Sequence, residues 1–307
     1  MDIYKDIIKL NNSISIDATS FLVQKIDPEN KISVAIFLYQ AVVSGISGIV
    51  SLLQMSEKHN AYAIHCWMSE WLHCGGKVLH EVNNNFSFVL LNTVAHVFNG
   101  CSLAQYIKTC LKWLNYDEVD VPICRIRVDI AHIIKMISRW QCFHGKGPQI
   151  RDFYMNCVGF LTTIESKDRF ESILLSILIV ALSECADKDT EYANKHKFLL
   201  ERICNFMIDI KENPDEKSDD NYHPLNEIDA VIEHNNSSHL DKLYANAKEF
   251  ATKMRSGQKL NLYYFPDFVT PFMRFATYYV LWTNVMMQKT EIKYSVASSA
   301  RLGTYFQ

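Results

Sequence analysis

Histidine beside cysteine is the pairing that ligates zinc, and the sequence places it twice, at His65-Cys66 and His73-Cys74. The two pairs are eight residues apart. On a helix that is about 12 Å of rise and more than two turns, too far for one ion. Cys142 and His144, beside Trp140, make no better a set. The cysteines number nine, an odd count, and none forms C-x-x-C; the closest pairs are Cys66/Cys74 and Cys101/Cys110. Zinc ribbons and knuckles need tighter ligand pairs, so buried or free reduced thiols and structural histidines are expected. Serine chemistry has no G-x-S-x-G, because Gly45-Ile46-Ser47-Gly48 has the wrong spacing. Gly145-Lys146-Gly147 is too short to cradle a phosphate as a P-loop does. Conventional catalytic motifs are mostly absent.

The chain's 307 residues suggest about two domains, or one with a large insertion. Hydrophobic residues make up 49% and charged residues 21%, enough to fill a core and too apolar for a disordered chain. A formal charge of −3 excludes a strongly basic nucleic-acid clamp but leaves room for a basic groove on one face. MDIYKDIIKLNN lacks the apolar stretch of a signal peptide, so an intracellular protein is expected.

Ile14 and Ile16 alternate with Ser13 and Ser15, which predicts a strand within 13–26, followed by a turn at Asp27-Pro28-Glu29-Asn30. No charge occurs between Lys31 and Glu57. That length suits a membrane span. Its β-branched residues, with Gly45 and Gly48 in the middle, fit two buried strands as well as one helix, and no membrane association is expected. Helical spacing then marks 60–73, 87–98 and 102–114, with short strands at 78–85 and 122–130. The signal is helical from 131 to about 209, broken at Gly145-Lys146-Gly147-Pro148. A polar, asparagine-rich loop covers 211–241, and helices follow near 243–254 and 271–287. This order predicts an α/β core at 13–140, a helical insertion at 141–285 and a return to the core at 286–307.

Five spaced segments carry a resemblance. SISIDATSFLV, VSLLQMSEKHNAYAIHCWMSEWL, EVNNNFSFVLLNTVAHVFN, RIRVDIAHIIKMISRW and YYVLWTNVMM together resemble the catalytic core of Mutator-like DDE DNA transposases, over roughly 14–306. The resemblance implies a ribonuclease-H-like mixed five-stranded sheet with a helical insertion, acting on DNA in the nucleus. No compact basic import signal is visible. It also implies two Mg2+ ions, about 3.5–4 Å apart, held by carboxylates that converge from separate strands and a helix.

Carried over residue by residue, the first family acid matches Asp17 in Asp17-Ala18-Thr19, the alternative being a strand-end acid that caps a turn. The second falls on Asn85, which offers an oxygen but no charge, and the third on Gly303, which offers no ligand. Asp129 and Glu291 are substitute candidates. Asp129 reads more simply as a cap on the following helix, with His132 in its first turn. Arg125, Arg127, His132, Lys135 and Arg139 are candidate DNA contacts, or a solvated face. The few residues before the first strand leave no space for the family's separate DNA-binding module, and the chain stops within the expected last helix.

The expectation is therefore a transposase-derived protein, relic or domesticated, with impaired strand cleavage. It would hold Mg2+ only if active, bind DNA, and pair as a homodimer. Two alternatives stay open: an active nuclease using Asp17, Asp129 and Glu291, and a non-enzymatic helical interaction protein.

Overall fold

The computed structural model describes residues 13–26, 33–43, 50–56, 60–74, 76, 79–115, 122–186, 191–203, 237–253 and 259–287. They fall in two compact units that divide between His132 and Ile133.

The first unit carries a mixed sheet. Its strands are β1 (Ser13–Ile26), β2 (Ser33–Val43), β3 (Val50–Ser56), β4 (Glu81–Asn84) and β5 (Arg125–Val128), in the order β3-β2-β1-β4-β5. β1–β2 and β2–β3 pair antiparallel, whereas β1–β4 and β4–β5 pair parallel. The mixed α/β architecture expected from the sequence is present, and an all-helical chain is excluded. The charge-free segment resolves into β2 and β3 rather than one helix, in keeping with its β-branched side chains. No helix among the described residues is long and apolar enough to cross a membrane.

Alternation divides the sheet into two faces. Ile14, Ile16, Val82, Ile126 and Val128 are buried on one of them. Ile14, Ile16 and Ala41 line a small apolar gap with Trp67, Met68 and Trp71 of α1 (Ala61–His73) and Phe98 of α2 (Phe88–Asn99), so these helices cover that face. The side chain of Asn60 caps α1 by accepting from Ala63 N at 2.9 Å. Ser102 caps α3 (Leu103–Leu114) in the same way, accepting from Gln105 N at 3.2 Å. Gly100 ends α2 in the left-handed conformation (φ 65°) that glycine adopts without strain.

The two parallel strands are shorter than the sequence predicts. The run at 78–85 contributes only Glu81–Asn84, and 122–130 only Arg125–Val128. Asp129 is the reason at the far end of β5, because its carboxylate starts α4 (Ile130–Ser138) instead of extending the strand.

The second unit is helical. It contains a 3-10 turn (Gln141–Phe143), α5 (Pro148–Thr162), α6 (Lys167–Leu182), α7 (Glu191–Ile203), α8 (Ser237–Lys253), α9 (Pro266–Ala276) and α10 (Tyr279–Trp282). Gly145 (φ 73°) and Pro148 at the start of α5 make the predicted break. α8 starts earlier than the expected 243, and α9 starts at Pro266 with Pro271 inside it. Aromatic packing outweighs the helix-breaking tendency of Pro271. Phe268 and Phe272 stack at 4.7 Å, Phe275 and Trp282 at 4.8 Å, and Phe170 and Tyr279 at 4.5 Å. Phe170, Phe268, Phe272 and Phe275 are fully buried, each contributing roughly 1.5–3 kcal/mol relative to exposure. Asn261 ties this core to the end of α6, donating through Nδ2 to the carbonyls of Val180 (2.8 Å) and Ser183 (2.7 Å). Its Oδ1 accepts from Tyr263 N at 2.8 Å.

Candidate functional site

The parallel strands β1, β4 and β5 stand in register. Ser15 faces Asn83, which faces Arg127; Ile16 faces Asn84, which faces Val128. One residue further along each strand come Asp17, Asn85 and Asp129. A backbone bond from Asp129 N to Asn84 O (2.8 Å) carries the ladder to that level. Period-two alternation sets these three on the same face as Ser15, Asn83 and Arg127, opposite the apolar side. Asn85 and Asp129 follow the carboxyl ends of β4 and β5, where open α/β sheets place their ligands, and Asp17 lies within β1 just past its parallel ladder.

Two of the three meet. Asn85 donates from Nδ2 to Oδ1 of Asp17 at 3.0 Å. Asn85 then turns tightly into α2, with Ser87 N bonding to its carbonyl at 2.7 Å. Asn85 Oδ1 is buried with no hydrogen-bond partner. Asn84, only 2% exposed, has neither side-chain atom paired. Its side chain sits in the apolar row between Ile16 and Val128, where nothing polar answers it.

The third residue is engaged elsewhere. Asp129 Oδ1 accepts from Ala131 N at 2.8 Å and His132 N at 3.2 Å, and lies 3.5 Å from His132 Nδ1. This is helix capping. Burial alone would raise the Asp129 carboxyl. Hydrogen bonding and charge from His132, with the backbone N–H groups of His132 and Ala131, outweigh that and hold it below its ordinary value.

The row behind is polar and closed. Arg127 is 5% exposed, so the basic strand face expected at Arg125 and Arg127 is accessible only in part, at the half-buried Arg125. Burial lowers the Arg127 guanidinium from its usual value; the charges of Glu81 and Asp129 oppose that and Arg125 adds to it. It stays charged at any ordinary pH. Asn83 donates to Glu81 Oε1 at 3.1 Å beside it. His132, Lys135 and Arg139 are exposed on α4 and the turn after it. Gly303 and Glu291 lie outside the described residues.

Among the described residues no three His, Cys, Asp or Glu side chains are grouped to hold a metal ion. His65 and His73 instead bond along their own helix, to Ser69 Oγ at 3.4 Å and Ser69 O at 2.7 Å. Sequence reasoning missed the set of half-buried Glu81 with buried Asn83 and Arg127, and the unanswered Asn84. The alternation of E-V-N-N-N against R-I-R-V-D was the signal that could have paired them.

No family model matches the chain. It is similar to the "120.7 kDa protein in NOF-FB transposable element" of Drosophila melanogaster, 38% identical over 313 aligned positions. The match covers 99% of this chain and 29% of that protein, so the chain spans under a third of its relative.

Proposed function

We propose that this chain is a transposon-derived protein whose first unit is a ribonuclease-H-like core of the Mutator-like DDE type, acting on DNA and impaired in strand cleavage. The similarity to a protein in a transposable element supports the origin. The strand order β3-β2-β1-β4-β5, antiparallel on one side of β1 and parallel on the other, supports the core. The observation that carries the reading is the meeting of Asp17, within β1, and Asn85, just past the end of β4, where such a core brings its first two acids together.

Cleavage of this type uses divalent ions to activate a nucleophile and stabilise the leaving oxygen. Such ions need several oxygen ligands with negative charge. Here Asp17 meets an amide N–H, and Asp129 is held by two backbone N–H groups. This donor set does not fit a pair of ions, and we derive no step through them. DNA contact then rests on phosphate attraction to exposed cations such as Lys135 and Arg139, which weakens with salt.

Plasmid nicking in Mg2+ or Mn2+ tests the reading, with Asp17→Ala as the control. The expected result is no nicking above the level of that variant. Robust cleavage that disappears with Asp17→Ala would overturn the impairment and restore the active-nuclease alternative. Absence of salt-dependent DNA binding would overturn the action on DNA.

A further inference from the structure

We propose that the Asn85 amide occupies the place of a cation beside Asp17, making this end of the sheet a closed pair that takes up no divalent ion and that one added acid would open. The inference stands on the geometry of the pair, and it survives if the protein never touches DNA.

Three observations carry it. The first is the direction of the bond. Asn85 presents Nδ2, not Oδ1, to the Asp17 oxygen at 3.0 Å. A carboxylate beside an amide imposes that orientation when no ion lies between them, because two oxygens so close would repel. Coordination would require the amide to turn over and give up a charge-assisted bond. The second is the neighbour. Asp129, next in line across the strands, spends Oδ1 on two backbone N–H groups and lies beside His132. Turning it toward Asp17 would uncap α4. The third is charge. Arg127 is buried on the same face one row back, where its guanidinium offsets the negative charge of Glu81 and Asp129 and leaves less of it for a divalent cation.

Asn85→Asp changes the balance with few atoms altered. It removes the donor and sets two carboxylates against each other, an arrangement that repels itself unless an ion intervenes. Mg2+ and Mn2+ are commonly held by one or two carboxylates with water completing the shell.

The experiment is thermal unfolding of the full chain in EDTA and in rising Mn2+, with Mn2+ binding followed directly by its free-ion EPR signal. Wild type, Asn85→Asp, Asp17→Asn and the Asp17→Asn/Asn85→Asp double variant are compared. Wild type and Asp17→Asn should show the same midpoint in EDTA and Mn2+ and bind no ion that distinguishes them. Asn85→Asp should melt below wild type in EDTA and recover with a shift that grows as the logarithm of Mn2+ concentration. The double variant should lose that response. Mn2+ bound by wild type and lost in Asp17→Asn overturns the proposal, and so does an Asn85→Asp chain that gains nothing from the ion. The first outcome does not depend on whether Asn85→Asp folds.

Discussion

Asn85 reaches Asp17 across 68 positions of sequence, and the 3.0 Å bond between their side chains ties the end of β4 to β1 just past their parallel ladder. A hydrogen bond to a charged group contributes about 1.5–3 kcal/mol, and partial exposure places this one toward the lower figure. Asn85→Ala should therefore lower urea stability by about 1–2 kcal/mol. A double-mutant cycle with Asp17→Ala should return a coupling of similar size. Additive effects of the two substitutions would mean that the pair contributes nothing.

Asn84 leads to the opposite expectation. Its amide is buried, with neither polar atom paired, in a row with Ile16 and Val128. An unanswered buried amide costs about 1–3 kcal/mol, and valine suits both the strand and the row. Asn84→Val should raise the unfolding midpoint. Asn261, buried but bonded three times, is the contrast, and Asn261→Val should lower it. Equal effects at the two positions would show that pairing is not what separates them.

Asp129 makes stability depend on pH. Its carboxyl is held below the ordinary value of 3.8 by His132 and two backbone N–H groups, which outweigh its burial. A depressed acid stabilises the fold above its unfolded pKa and loses that contribution as pH falls through the folded value. Unfolding on acidification below about pH 4 should be shallower in Asp129→Asn, which keeps a capping oxygen but has no proton to gain. Asp129→Ala should lose about 1 kcal/mol at neutral pH as well. An unchanged acid limb in Asp129→Asn would remove this residue from the linkage.

Asn99 grips the start of β5. Its Nδ2 donates to the carbonyl of Cys124 at 2.9 Å, and its Oδ1 accepts from the same residue's N–H at 2.9 Å. Asn99→Ala leaves both backbone groups of a buried residue without partners, at a cost of about 2 kcal/mol. Chemical denaturation measures it, and a loss below the error of the method would show that water replaces the side chain.

Thiol reactivity should follow burial. Cys66 and Cys74 are exposed, whereas Cys110, Cys124 and Cys157 are buried. Burial pushes the Cys110 thiol up to about 12 and raises those of Cys124 and Cys157 further out of reach. In mildly alkaline buffer a maleimide should mark Cys66 and Cys74 quickly, and the buried three only after denaturation. Mass mapping of the labelled peptides decides it. Fast labelling at Cys124 would show that β5 opens readily.

Much of the scaffold is legible locally. Ile14 and Ile16 alternate because one face of β1 is buried, and Asn60 and Ser102 cap their helices through bonds three residues long. Such signals need only near neighbours. The mixed α/β class was readable from them, whereas the charge-free segment suited two strands as well as one helix until strand pairing decided it. The extents of β4 and β5 were not readable, because each ends where a partner strand stops or a cap begins. Arg127 shows the same limit, since charge alone suggests a solvent-facing side chain and its burial depends on a neighbouring strand, where Asn83 faces it.

What the sequence determined by itself is therefore the set of elements and the chemical character of Asp17, Asn85 and Asp129, because side-chain identity and short-range bonding are properties of the chain alone. The pairing of Asp17 with Asn85, and the assignment of Asp129 to a helix terminus instead, belong to the tertiary structure. Strand register decides which distant residues share a level, and the direction of an amide is chosen only by the group it finds opposite.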